Sequence, residues 1–443
     1  MNKKKFVRDT TITFGSRLFS LLVGIGTSVV LARALGPQGR GTYALAMLLP
    51  NMIVTFGNFG VGPATVYYVA RGKISREIIL GNNILLSLIL SAFGILAGVC
   101  VIIFFHQNLF KGVAVSLLIL SLALVPLNFF LSFVKYILLG AQRIKEFNYI
   151  GVIQTLFFFT AVVLALLFFR VGIAGAIGAA ALSTLAAGIL AFHWAKMVSG
   201  GVKLRPYPPY IKKALIYGFQ SHLSNILGFL NYRADVFLIN WFLSPAAVGL
   251  YSVSVGLAEK IWLVSQSAGT VLFPKIAAEN EEELRKTFTP FVARTVLWLT
   301  ALGAIVLFLI SKQVILLLYS DAFLPAVSPL QGLVVGIIAL APSRVLANDI
   351  AGRGRPALNA YRGLITVFIN ITLNLLWIPR YGIVGSAWAS TVAYTASFIG
   401  ALLIYCHLSG NPWTVVLLPQ PEDWVLYKRI VRGFKYKLPL LHK

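Results

Sequence analysis

Leu35-Gly-Pro37-Gln-Gly-Arg-Gly41-Thr-Tyr43-Ala returns 208 residues later as Leu243-Ser-Pro245-Ala-Ala-Val-Gly249-Leu-Tyr251-Ser. A second string, Arg170-Val-Gly172-Ile-Ala-Gly175-Ala, returns 210 residues on as Arg380-Tyr-Gly382-Ile-Val-Gly385-Ser. Two matches at nearly one spacing mark an internal duplication. What lies between the strings sets the class. Of 443 residues 58% are hydrophobic and 12% charged, half the roughly 25% of a soluble domain. At about 20 apolar residues per bilayer-spanning helix, the content suffices for about a dozen spans. A cytosolic enzyme, a disordered chain or a nucleic-acid-binding domain is excluded as the main body.

Hydropathy places spans near 11–33, 42–69, 80–105, 113–138, 149–169 and 173–195. A second set falls near 214–240, 246–272, 291–310, 327–348, 361–379 and 382–407. Each duplicated string occupies the same place in its set of six. Six is even, so both halves enter the membrane from one side, as parallel repeats with a substrate site expected at their interface. The expected fold is an all-α polytopic membrane protein of about 12 transmembrane helices in two six-helix bundles. Residues 1–197 form the first bundle and 214–407 the second. The linker 198–213 carries Gly200, Gly201, Pro206, Pro208 and Pro209, and 408–443 is a basic tail. The first apolar run is over twenty residues long and lacks a small-residue cleavage pattern, so it reads as a retained span.

The net charge of +25 follows the same plan. Of the 38 Lys and Arg, twenty-eight fall in segments facing one side, six face the other, and Arg17, Arg233, Lys260 and Arg294 sit within spans. That asymmetry places both termini in the cytoplasm. The tail interleaves aromatic and basic residues from Trp424 to Lys437, a pattern suited to the anionic inner leaflet, with docking of a partner enzyme as the second use. No nucleic-acid partner is implied.

Catalytic signatures are missing. There is no Gly-x-x-x-x-Gly-Lys-Ser/Thr string and no His-Glu-x-x-His, and the five histidines are scattered. Neither an enzyme, a cofactor nor a metal is expected. Cys100 and Cys406 lie in apolar runs without metal spacing. The chemistry sits inside the spans, where ionisable groups are costly and usually face a cavity or a partner. Arg17 lies about six residues into its span, roughly 9 Å deep. Arg233 and Asp235 are two apart on a helix and do not face each other. Glu259 and Lys260 are the deepest pair, with an interhelical ion pair as the plain alternative. Asn58, Gln220, His222, Asn225, Asn231, Asn370 and Asn374 bring polar groups to the same depth, either for interhelical hydrogen bonds or for a wet cavity. Gly175, Ala179 and Ser183, repeated as Gly385, Ala389 and Ala393, read as close helix packing.

The stretch Leu31-Ala-Arg33-Ala-Leu-Gly36-Pro37-Gln-Gly39-Arg-Gly-Thr-Tyr43 resembles the first loop of polysaccharide and O-antigen flippases of the Wzx type. Asn231-Tyr-Arg233-Ala-Asp235-Val-Phe-Leu-Ile with 243–251 resembles their seventh span and loop, and Asn370 to Gly385 their eleventh. These flippases belong to the multidrug/oligosaccharidyl-lipid/polysaccharide (MOP) exporter superfamily. The resemblance implies two bundles working by alternating access in a bacterial cytoplasmic membrane. Its implied cargo is an undecaprenyl-pyrophosphate-linked oligosaccharide, such as an O-antigen, capsule or exopolysaccharide unit. Spans one and seven would line the cleft. The reading is then a flippase in which Arg17 and Arg233 draw the pyrophosphate. Asp235, Glu259 and Lys260 serve ion coupling or hold those arginines, and the polar amides face the glycan. Glycosyltransferases or a glycan polymerase are the partners it suggests. A drug or metabolite exporter of the same fold is the alternative, and a membrane glycan ligase or polymerase a more distant one.

Overall fold

The computed structural model describes residues 3–262, 282–421 and 423, with side chains placed from residue 12 on except at 220, 221, 262 and 282–285. The basic tail from 424, the stretch 263–272 of the eighth expected span and the Gln220 side chain therefore lie outside the described residues. Every regular element among those described is helical: α1 (Lys3–Gly57), α2 (Val61–Arg71), α3 (Arg76–Leu109), α4 (Val115–Leu122), α5 (Leu124–Gly140), α6 (Ile144–Val163) and α7 (Gly172–Ser199). After them come α8 (Pro208–Phe242), α9 (Pro245–Ala258), α10 (Glu282–Leu318), α11 (Val327–Gly352), α12 (Pro356–Ser409) and α13 (Trp413–Leu417). Among the described residues, eight helical stretches are long and apolar enough to cross a membrane. Their outer faces are bare hydrocarbon. On α3, Phe93, Ile103 and Phe104 are each about two-thirds or more exposed, which suits contact with lipid tails as apolar as the side chains.

Two helices bend sharply where the sequence demands it. Gly36, ahead of Pro37, breaks α1 into two limbs, and Gly382, after Pro379, does the same to α12. Gly172 and Gly382 are the matching glycines of the second duplicated string. Both take a left-handed backbone (φ 69° and 61°), a turn that glycine allows without steric cost. The duplication is thus one of structure as well as of letters. Span two breaks again at mid-length. Phe59 and Gly60 adopt positive φ, while Asn58 accepts the Gly60 N–H at 2.8 Å and donates to the Thr55 carbonyl at 3.0 Å. The Asn58 side chain replaces ladder bonds that the break removes.

The chain divides into two compact units. The first comprises Met1–Leu257, Ile310–Leu330 and Val367–Ala389. Its core packs Ile79, Leu80, Val134, Ile137 and Ile150 with the small residues Ala187, Ala191 and Ala195, which let backbones approach. Within this core the Asn83 amide donates to Thr65 Oγ1 (2.9 Å) and the Phe133 carbonyl (3.0 Å), and its oxygen accepts the Tyr210 hydroxyl (2.8 Å). Asn83→Ala removes three hydrogen bonds from a buried site, so unfolding in detergent should show a loss of about 2 kcal/mol or more.

The other duplicated string closes on its own copy. A β-carbon at Gly41 would collide with the Pro245 carbonyl oxygen and crowd the Gly249 nitrogen. One at Gly249 would collide with the Pro37 carbonyl oxygen and crowd the Gly41 nitrogen. The contact is reciprocal, as a two-fold relation between repeats requires, and only glycine fits on either side. Arg33 fastens the same region, its Nε donating to the Leu318 carbonyl at 2.8 Å.

The second unit comprises Ala258–Leu309, Gln331–Thr366 and Ser390–Lys443. Ala293, Val296, Ala341, Val345, Ala401 and Tyr405 form its core. Arg294, buried on α10, holds Asp423 through two hydrogen bonds and reaches the Val415 carbonyl at 2.7 Å. Trp298 Nε1 donates to the Leu417 carbonyl. The chain after α12 is thereby stitched to α10.

Candidate functional site

Polar residues recur at helical spacing on one face of several helices of the first unit, and with Leu31, Met47, Leu124 and Phe158 they line an open pocket of about 440 Å³. The first limb of α1 contributes Gly24, Thr27, Ser28 and Leu31, and the second Arg40, Tyr43, Met47 and Asn51. Asn128 enters from α5, Gln154 and Thr155 from α6, and Ser183 and Thr184 from α7. No Asp or Glu is among the lining residues. Thr27 donates its hydroxyl to the Val23 carbonyl, and Ser183 and Thr184 donate theirs to the Ala180 carbonyl. These hydroxyls therefore offer lone pairs rather than protons to an occupant. Gln154 Nε2 reaches Thr184 Oγ1 at 3.3 Å, and the Ser28 and Tyr319 hydroxyls are 3.3 Å apart.

Arg40 supplies the positive charge. Its guanidinium carbon stands 5.7 Å from the centre of the Tyr43 ring, and its Nε is buried without a hydrogen-bond partner. The sequence reading counts Arg40 among loop cations and misses it. The available signal was its register with Tyr43, Met47 and Asn51, three, seven and eleven residues on, which puts all four on one helical face. Ser183 is packed, as its small-residue stripe suggests, yet it also lines the pocket.

The residues chosen from sequence are dispersed. Arg17 is half-buried on α1, two turns before Gly24 and on the same face. Arg233 is half-buried on α8, with one nitrogen 3.4 Å from the Tyr232 carbonyl. Asp235 is buried, accepting the Tyr251 hydroxyl at 2.7 Å on one oxygen and the Val236 N–H at 2.8 Å on the other. Tyr251 belongs to the duplicated string, so that motif also positions a membrane carboxylate. Asn231 is buried beside it and Asn225 is exposed. His222 is buried against the break in span two, its ring 5.2 Å from that of Phe59, with Nδ1 unpartnered. Glu259 and Lys260 are half-buried in a 3-10 turn (Glu259–Trp262) after α9.

Three amides expected to face a glycan do other work. Asn58 is spent on the break described above. Asn370 and Asn374 are fully buried: the Asn374 amide donates to the Asn370 carbonyl (2.8 Å), and its oxygen accepts Ser386 Oγ (2.7 Å). They tie the two limbs of α12 together, because a carboxamide in an apolar bundle is best satisfied by its nearest helix.

An all-α, multi-pass chain with duplicated halves and an open pocket among the helices of one unit shares the fold of the MOP exporters. Solved structures with this fold include an inward-facing MATE multidrug transporter (TM-score 0.76, 16% identity, 90% of this chain and 98% of that one). Another is the lipid II flippase MurJ in an inward closed conformation (TM-score 0.74, 17% identity, 95% and 92%). The chain belongs to the polysaccharide biosynthesis protein family, whose model matches residues 6–279. It is also 23% identical over 379 residues to a probable low-salt glycan biosynthesis flippase, Agl15 of Haloferax volcanii, across 83% of this chain and 76% of that one.

Proposed function

We propose that this protein is a flippase that carries a lipid-linked oligosaccharide, of the undecaprenyl-pyrophosphate type, across the cytoplasmic membrane by alternating access. One observation carries the reading: an open pocket, whose largely apolar wall carries Arg40, Asn51, Asn128 and several hydroxyls, lies within helices whose outer faces are hydrocarbon. A cargo with a polar head and a prenyl tail matches that division, the head sheltered and the tail left among lipids. The absence of a carboxylate from the pocket lining favours an anionic cargo over a cationic drug. The family and the Agl15 likeness support a role in glycan assembly.

In this reading the repeats 1–197 and 214–407 are the two moving bundles and both termini are cytoplasmic. The reciprocal Gly41–Gly249 contact closes their outer ends, and the break at Asn58–Gly60 gives span two a hinge. Arg17 and Arg233 meet the pyrophosphate, and Asp235, fixed by Tyr251, serves coupling. The test is export of surface glycan at matched protein level. Arg17→Ala and Arg233→Ala should each lower it about tenfold, the worth of one charge-assisted hydrogen bond of about 1.4 kcal/mol or more. Full export by both variants would remove the pyrophosphate role.

A further inference from the structure

We infer that the pocket of the first unit is a subsite for an acidic sugar, a uronate whose carboxylate pairs with Arg40. The inference rests on the flippase reading and names the class of glycan carried. Four observations bear on it. Arg40 presents a buried Nε–H with no acceptor, and a guanidinium at membrane depth is costly until its hydrogen bonds are made. With no Asp or Glu in the lining, the balancing charge must come from the occupant. Asn51 and Asn128 point to the pocket, and neither carboxamide is engaged by a protein group among the described residues. Thr27, Ser183 and Thr184 have committed their protons to helix carbonyls, so they accept hydroxyl protons from whatever enters.

An occupant that meets these terms carries a single negative charge and several hydroxyls. A uronate does both, and planar carboxylate on planar guanidinium is the favoured bidentate geometry. A pyrophosphate brings at least two charges to one cation and offers no hydroxyls to the acceptor wall. Arg40 is distinct from Arg17 and Arg233, so sugar and carrier phosphate are read by different cations. The volume falls in the range of about 300–1,000 Å³ typical of small-molecule sites.

The test uses the purified full chain in lipid nanodiscs, with sodium glucuronate, glucose and inorganic pyrophosphate as probes and ligand-dependent thermal unfolding as the readout. Glucuronate should bind at least tenfold more tightly than glucose, and pyrophosphate, whose cations are Arg17 and Arg233, should bind the wild type and Arg40→Gln alike. Arg40→Gln should weaken glucuronate at least tenfold, while Lys196→Gln, exposed and outside the pocket lining, leaves it unchanged. Should Arg40→Gln fail to fold, Thr184→Leu, which fills the pocket and keeps the cation, must cause the same loss. Equal binding of glucose, loss of pyrophosphate binding in Arg40→Gln, or full glucuronate binding by Arg40→Gln or by Thr184→Leu, overturns the site. Glucuronate selectivity in a chain that exports no lipid-linked glycan would sink the flippase reading and leave the site standing. Glycan export without glucuronate selectivity would do the reverse.

Discussion

Gly41→Ala should open the contact between the duplicated strings and, on the flippase reading, lower export. The added methyl group lands on the Pro245 carbonyl oxygen, a backbone atom that cannot rotate away as a side chain would. Overpacking of a yielding core costs about 1–3 kcal/mol; here both partners are main chain, so the cost should reach the top of that range. Gly249→Ala should do the same through Pro37, and the double variant should add little, since the first methyl has already parted the two segments. Gly178→Ala and Gly228→Ala, where a β-carbon meets nothing within 4 Å, should be neutral. The measurement is labelling of Ser244→Cys by a membrane-impermeant thiol reagent, in a chain with Cys100 and Cys406 replaced by Ser. Gly41→Ala should raise the rate about tenfold; unchanged labelling would show that the strings do not seal this end.

Arg294→Ala should strongly destabilise the second unit. Arg294 and Asp423 are both almost fully buried, and removing one partner of a buried pair leaves the other charge uncompensated, at about 3–5 kcal/mol. Asp423→Asn should cost less, because an amide still accepts one guanidinium N–H. A joint change to Met and Leu should recover much of the loss, since apolar isosteres often match buried ion pairs. Acid should act on the same contact. Burial alone pushes the Asp423 carboxyl up, but the Arg294 hydrogen bonds, the Gln420 N–H and the Arg294 charge outweigh it and hold the group below the usual carboxylate range. Its contribution is therefore complete above about pH 4, the unfolded value, and is lost as pH falls through the folded one. Denaturant unfolding at stepped pH should show that loss in the wild type and not in Arg294→Ala.

The duplication, read in two short strings, was the most legible feature of the chain. Its glycines proved to be structural equivalents, Gly172 with Gly382 by backbone angle and Gly41 with Gly249 by reciprocal contact. Strings of this kind are legible because glycine and proline act through the backbone, where no alternative residue serves. The site was less so. Arg40 sits between a helix-breaking Gly-Pro pair and a tyrosine, where linear reading sees a loop and the fold continues a helix. Arg294 stood out as a charge inside a span, but its partner is 129 residues away and nothing local points to Asp423. Asn370 and Asn374 show the converse limit. Amides one turn apart look the same in sequence whether they face water or clasp the next limb, and only packing separates the two.

The contact between Gly41 and Gly249 consists of α-carbons, amides and carbonyls, none of which titrates. Ambient acidity has nothing to protonate in that backbone contact. Closure at this end should then be indifferent to the pH outside, and the force that parts it has to be delivered mechanically, through the helices that carry the two glycines.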